Sequence, residues 1–357
     1  VLTGEWGPDR IALPAGAVGK VDADWRLGSA ATALDLDERT VSLADGSVLP
    51  FDGLVIATGA TPRALPGTDG IAGVHTLRTV DDAASIVARL DAGARRVVVV
   101  GAGFIGAEVA ASCRERGLDV TMVEPLAQPL ARVLGDEVGA VIARVHREHG
   151  VDVRLGIGVE SIRSGPAGVE AVVLADGSVV DADLVVVGIG VVPNTAWLEG
   201  NGLDLDNGVR CDETTLVAPG VVAAGDVARW PNTLFDETMR VEHWEHALDM
   251  ATHAAKRLLA DGAGEPGEPY RPVPWFWSDQ YDRKIQLAGR PRPTDDLVVV
   301  AGSLDAERFC ALYGRDGVAT AVLAVNMAGR VVRYRRALAD GLPWAQVLAD
   351  AEAAAAP

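Results

Sequence analysis

Three short apolar runs in this chain end at glycine: Leu54 to Ala57 ahead of Gly59, Val97 to Val100 ahead of Gly101, and Leu184 to Val187 ahead of Gly188. Unbroken Val, Ile and Leu without polar alternation predict parallel strands covered on both faces. Two of the runs belong to an internal repeat. Leu43-Ala44-Asp45-Gly46-Ser47-Val48 precedes the first and Leu174-Ala175-Asp176-Gly177-Ser178-Val179 precedes the third, at a constant offset of 131 residues. Asp-Gly between apolar segments is a hairpin signal. Each copy therefore reads as a hairpin feeding a buried strand, and the chain as two related α/β domains.

Beyond a Gly- and Pro-rich linker, Gly262 to Pro274, the pattern changes. Lys284 to Gly289, Leu297 to Ser303, Arg308 to Tyr313 and Val318 to Asn326 predict strands, with a helix from about Ala328 and another over Trp344 to Ala356. No crossover helices separate these strands, so antiparallel pairing is expected. The predicted fold class is α/β, with two Rossmann-like dinucleotide-binding domains plus a C-terminal α+β domain. Residues 1–74 and 196–268 form one split domain in this reading, 75–195 the domain inserted into it, and 269–357 the third.

Composition narrows the function classes. With 357 residues, 49% hydrophobic and 23% charged, the chain can bury full cores, which excludes disordered and disulfide-scaffold classes. No apolar run approaches the roughly 18 residues of a bilayer span, and no charged segment followed by an apolar stretch opens the chain. A cytoplasmic protein with no membrane partner is expected. The net charge of −18 repels a polyanion and argues against a nucleic-acid partner. Cys113, Cys211 and Cys310 show no CxxC or CxxxxC spacing, so neither a zinc site nor a local redox disulfide is encoded. His243 and His246 lie three apart but lack a third ligand nearby, and no metal is expected; they read as surface or cofactor-side histidines.

The second apolar run leads into Gly101-Ala102-Gly103-Phe104-Ile105-Gly106, then a helical stretch from Ala107 to Arg116, then a strand from Val120 to Val123 ending on Glu124, 18 residues after the last glycine. In this order Gly101 makes the tight turn, Gly103 lets backbone approach a pyrophosphate at the helix N-terminus, and Gly106 permits close helix packing. A carboxylate at Glu124 can accept both ribose hydroxyls of an adenosine and repels a 2′-phosphate. NAD is therefore the expected dinucleotide, with a purely structural strand-turn-helix as the alternative. Applied backwards, the repeat offset puts the first domain's glycine fingerprint upstream of Val1, and Val1 to Trp25 offers no substitute. The expectation is an N-terminally shortened or decayed copy of a longer protein.

Ala57-Thr58-Gly59, the glycine fingerprint, Gly188-Ile189-Gly190 with Pro193-Asn194, and Ala224-Gly225-Asp226 together resemble the flavoprotein disulfide reductase superfamily. Leu77-Arg78-Thr79, Arg240-Val241-Glu242 and Pro274-Trp275-Phe276-Trp277-Ser278-Asp279-Gln280 are similar to its NADH-dependent ferredoxin reductases, the putidaredoxin reductase-like family serving Rieske-type oxygenases and cytochrome P450 systems. The resemblance implies FAD beside NAD, with 1–74 and 196–268 as the FAD domain and 75–195 as the NAD domain. It implies that Asp226, after Gly225, bonds the ribityl chain, that Thr58 and Gly59 face the flavin, and that Arg78 lies near its phosphates or ring edge. Ala31 would meet the adenine and Trp244 the flavin pyrimidine, at a helix start whose positive end suits negative charge on reduced flavin. Asp226 as an ordinary helix cap remains an alternative. Phe104, Ile105 and Gly190 join the NAD site, and Glu108 is the candidate catalytic residue approaching the nicotinamide, with a solvated helix face as its alternative. Of Trp275 and Trp277, one is expected to cover the flavin and the other to pack in the core, with burial of both as the alternative.

Charge is uneven along the chain. From Tyr270 onward there are 11 basic and 10 acidic residues, against 21 and 40 before it. Arg283, Lys284, Arg290, Arg292, Arg330, Arg333, Arg335 and Arg336 make the C-terminal domain the expected docking face for an acidic 2Fe–2S ferredoxin. The expected enzyme passes electrons from NADH through FAD to that ferredoxin, as a monomer or homodimer. Alternatives are an NADH oxidase or rubredoxin reductase of the same fold, or a non-catalytic NAD-binding remnant.

Overall fold

A computed structural model describes residues 1–11 and 21–355. Part of the Val1 to Trp25 reading, residues 12–20, and Ala356 of the C-terminal helix lie outside the described residues. The chain divides into two compact units: Val1–Arg10, Pro62–Val191 and Trp275–Pro357 form one, and Ile11–Thr61 with Val192–Pro274 the other.

The first unit holds two sheets. Its parallel sheet runs in the order Val74–Thr76, Leu184–Val187, Arg96–Val100, Asp119–Glu124, Asp152–Leu155. The central strands are the apolar runs of the sequence, and Val97 through Val100 and Leu184 through Val187 are all buried. Helices Val80–Asp91, Phe104–Glu115 and Asp136–Glu148 accompany them. Helix Val80–Asp91 starts at a capping box, in which the Thr79 side chain accepts from Asp82 N–H and the Asp82 carboxylate accepts from Thr79 N–H. Asp183 fixes the adjoining strand ends. It accepts backbone N–H bonds from Arg95 and Arg96 at 3.0 and 2.9 Å and pairs with the Arg96 guanidinium, which hold its carboxyl well below the usual range.

The second sheet of this unit is antiparallel, in the order Trp275–Gln280, Arg283–Gly289, Val318–Val325, Arg308–Arg315, Asp296–Ser303, with helices Ala328–Ala339 and Trp344–Ala355. It packs with Leu130, Leu134, Val138, Val141 and Ile142 in one apolar cluster. Arg144 on helix Asp136–Glu148 reinforces this with a 2.9 Å pair to the buried Glu307, which also accepts from Arg283.

The second unit contains small sheets. Thr40–Leu43 is central to Ala31–Asp35 and Val48–Pro50, while Leu54–Ile56 lies parallel to Val221–Ala223 at an edge. Its core joins Ile56, Val222, Met250 and Ala254 around the fully buried Trp230. The Gly- and Pro-rich segment after helix Trp244–Gly262 is not a free linker. Tyr270 and Val273 are buried, the Tyr270 amide donates to Glu213 O at 2.8 Å, and Trp230 Nε1 donates to Tyr270 O at 3.0 Å. The stretch is anchored by its two apolar side chains despite its loop composition.

Candidate functional site

Strand Arg96–Val100 delivers the glycine loop. Gly101 has φ +98°, and a Cβ there would lie 2.4 Å from Gly188 O, so no other residue fits without displacing backbone. A Cβ on Gly106 would come within 2.0 Å of Gly101 O, which explains how tightly helix Phe104–Glu115 starts against the turn. Gly103 faces open space. It also occupies the N-cap of that helix without any side-chain cap, leaving first-turn N–H groups available to an acceptor.

Around this turn is a cavity of about 290 Å³ lined by Gly101 to Phe104, Glu124 to Leu126, Leu130 to Val133 and Gly188 to Gly190. Glu124, at the end of its strand, is buried. Its Oε2 accepts from Ala102 N–H at 2.8 Å and its Oε1 from Leu126 N–H at 3.0 Å. A carboxylate has about four acceptor positions, so Glu124 holds the loop and retains capacity for hydroxyl donors. The lining thus fits a dinucleotide: a cradle that side chains would fill, free helix N–H groups, and an acceptor at the strand end.

Phe104 lines this cavity and meets Phe276 edge-on, with centroids 4.5 Å apart. Ile105 faces elsewhere, into a second cavity of about 340 Å³ shared with Leu77, Arg78, Glu108 and Val1 to Thr3. Arg78 is exposed, and its backbone N–H donates to Asp82 at 2.9 Å. Glu108 is half-buried. It accepts a 2.6 Å hydrogen bond from Ser278 Oγ, and burial pushes its carboxyl above the usual range, with Asp279 adding to the rise.

The tryptophan expectation needs correction. Trp275 and Trp277 are two apart on one strand and therefore share a face, with ring centroids 5.3 Å apart; Trp277 is 39% exposed, Trp275 is half-buried, and Arg335 lies over the Trp275 ring. The buried side chains of the strand are Ser278 and Gln280. Polar residues occupy the inward parity, a signal present in the sequence and hidden by the aromatic ones.

The second unit carries the remaining candidates. Asn194 clasps the Ala57-Thr58-Gly59 turn: Asn194 N–H donates to Gly59 O at 3.0 Å, Asn194 Nδ2 to Thr58 O at 2.8 Å, and Thr58 Oγ1 to Asn194 O at 2.9 Å. Gly225, with φ +72°, opens a short 3-10 turn that holds Asp226 inside it, so Asp226 is not that turn's cap. Arg240 donates to the Asp226 carbonyl at 3.1 Å. Trp244, 57% exposed, is the first residue of helix Trp244–Gly262, whose N-cap His243 makes no side-chain capping bond. Ala31 begins its strand, half-buried.

His246 is neither a surface nor an open-site histidine. It stacks on Trp230 at 4.9 Å and lies 3.3 Å from Tyr270 Oη, and burial holds its imidazole down to about 4. The three cysteines are free and buried, with thiols pushed up to about 11 for Cys113 and about 12 for Cys211 and Cys310. Such thiols do not ionise near neutrality. Of the C-terminal cations, Arg283 is engaged by Asp282 and Glu307, whereas Lys284 reaches Asp279 only at 3.7 Å. No helix among the described residues is long and apolar enough to cross a membrane.

The profile of the pyridine nucleotide-disulphide oxidoreductases matches residues 6–251, and that of a reductase C-terminal domain matches 275–355. The chain is 40% identical over 330 residues to the ferredoxin–NAD(+) reductase component of the anthranilate 1,2-dioxygenase system of Burkholderia cepacia, covering 91% of this chain and 79% of that one. It is 38% identical over 321 residues to rhodocoxin reductase of Rhodococcus erythropolis, covering 88% and 73%. Among solved structures, putidaredoxin reductase in its covalent complex with putidaredoxin superposes with a TM-score of 0.88 at 32% identity, over 99% of this chain and 87% of that one.

Proposed function

The chain belongs to the pyridine nucleotide-disulphide oxidoreductase family, and from that premise we propose that it passes electrons from NADH through FAD to the 2Fe–2S ferredoxin of an oxygenase or P450 system. Bound FAD supplies the hydride-accepting and one-electron chemistry, and the protein supplies orientation and electrostatics. In this reading residues 75–195 bind NAD, residues 1–74 and 196–268 bind FAD, and residues 269–357 form the interface domain.

Gly101, Gly103 and Gly106 let backbone approach the NAD pyrophosphate, with Phe104, Ile105 and Gly190 beside them, while Glu124 accepts from the adenosine ribose. Ala31, Thr58, Gly59, Gly225, Asp226 and Trp244 hold FAD, and Arg78 and Trp277 serve the same cofactor. Glu108 works at the nicotinamide end, where burial raises its carboxyl above the usual range. The buried, high-lying cysteine thiols support direct transfer from flavin to an external carrier. The C-terminal arginines favour an acidic partner there.

The observation that carries this reading is the glycine cradle closed by Glu124 on the Ala102 amide. Its test compares NADH with NADPH and a 2Fe–2S ferredoxin with oxygen. The expected enzyme bleaches its flavin with NADH and reduces cytochrome c only when ferredoxin is present. NADH consumption that needs only oxygen would make it an oxidase, and absence of any flavin turnover would leave a binding remnant. In Glu124→Gln, which keeps one loop acceptor, the preference for NADH over NADPH should fall by about 1–3 kcal/mol in kcat/KM terms.

A further inference from the structure

The buried face of strand Trp275–Gln280 carries a row of polar side chains that the proposed reaction leaves unused. Ser278 Oγ donates to Glu108 Oε1 at 2.6 Å, and Gln280 Nε2 donates to Ser278 Oγ at 3.1 Å. On helix Asp136–Glu148, His146 is completely buried, and its Nδ1 lies 2.9 Å from Tyr281 Oη. Gln280 Oε1 and His146 Nε2 are buried without a hydrogen-bond partner among the described residues.

Burial holds His146 down to about 4, so its ring is neutral near neutrality and carries one N–H. The two donors of the strand point the same way: Gln280 to Ser278, and Ser278 to Glu108.

We infer that Gln280 and Ser278 form a one-way relay of hydrogen-bond donors ending on the Glu108 carboxylate, and that both are positioning residues for it. Hydrogen bonds aligned in series polarise one another, and donors aimed at a carboxylate favour its ionised form. The relay therefore opposes the upward push of burial on Glu108. The charged groups facing Glu108 are Asp279 on the same strand, which opposes ionisation, and Arg78, which lines the same cavity together with Val1, Leu2 and Thr3. Neighbouring His146, on the third element, is neutral. The inference rests on the proposed role of Glu108 only for its effect on turnover.

Carboxyl carbon NMR of the holoenzyme labelled at glutamate, with Glu108 assigned by the signal lost in Glu108→Gln, reads the relay directly. Ser278→Ala should move the Glu108 titration midpoint upward, Gln280→Leu should move it the same way by less, and Ser278→Thr should restore it. An unmoved midpoint in folded Ser278→Ala overturns the relay; should that variant fail to fold, an unmoved midpoint in Gln280→Leu does so. Stopped-flow reduction of the flavin by NADH provides the second reading. A tenfold loss of rate per unit of midpoint shift, at a pH below both the unmodified and the variant midpoints, follows from the lost ionised fraction if Glu108 acts as the carboxylate. A midpoint that moves while the rate does not supports the relay and overturns the catalytic role of Glu108.

Discussion

The two copies of the hairpin-and-strand repeat have the same local structure and different surroundings. In both, the Asp-Gly turn closes on the same backbone bond. Asp45 accepts from the Ser47 amide at 2.9 Å and Asp176 from the Ser178 amide at 2.8 Å, while Gly46 and Gly177 take φ of +84° and +82°. Gly59 and Gly190, which follow the strands, are likewise left-handed. Yet Val55 is 41% exposed and Val186, its counterpart in the repeat, only 1%. Leu184–Val187 lies between two parallel neighbours, whereas among the described residues Leu54–Ile56 has Val221–Ala223 on one side only. Turn geometry is written in four residues; burial is set by strands far away in sequence.

The comparison can be broken most severely where the second copy meets the glycine loop. Gly101→Ala would press a methyl onto Gly188 O and impose a left-handed φ on alanine. A loss of about 3 kcal/mol in urea unfolding and of measurable NADH binding is expected, with no counterpart effect from Gly46→Ala beyond turn strain.

Acid should affect both units alike, through His146 in one and His246 in the other. Each imidazole is held at about 4 against an ordinary 6.5. A depressed histidine contributes stability that is full above the unfolded value and is lost as pH falls toward the folded one. Between about pH 6.5 and 4 the unfolded chain takes up the protons, costing about 2 kcal/mol per histidine by about pH 5. Thermal melts should show this slope, and His246→Gln should flatten it by about half.

Smaller effects separate the two copies directly. Val186→Ala should cost about 2 kcal/mol and Val55→Ala less than about 0.5 kcal/mol, because only the first leaves a void in a closed core. Equal losses would show that the edge strand is covered in solution. Smallest of all, Asp45→Ala and Asp176→Ala should each lower the melting temperature slightly and to the same extent, since both turns are exposed and built alike.

Much of this was legible from neighbours in sequence. The Val97–Val100 and Leu184–Val187 strands, the glycine turn, Glu124 at its strand end and the antiparallel C-terminal sheet all followed from local pattern. What escaped depended on distant partners. Trp275-Phe276-Trp277 advertises an aromatic core, but strand parity turns the two tryptophans outward together and takes Ser278 and Gln280 inside. The segment around Tyr270 has the composition of a linker, and only the Trp230 ring makes it part of a core. His246 read as a surface or cofactor-side histidine because its stacking partner lies 16 residues away on another element.

The interleaving of the two units also bears on synthesis. Among the described residues, Leu54–Ile56 pairs with Val221–Ala223, 167 residues later in the chain. At ribosomal speeds of about 5–20 residues per second, that apolar segment waits roughly 8–33 seconds for its partner. Meanwhile the parallel sheet of the inserted stretch, whose strands all lie between Val74 and Val187, can close first. The nascent chain thus carries a finished module on an unfinished one, and the waiting strand is where chaperone contact or misassembly would concentrate.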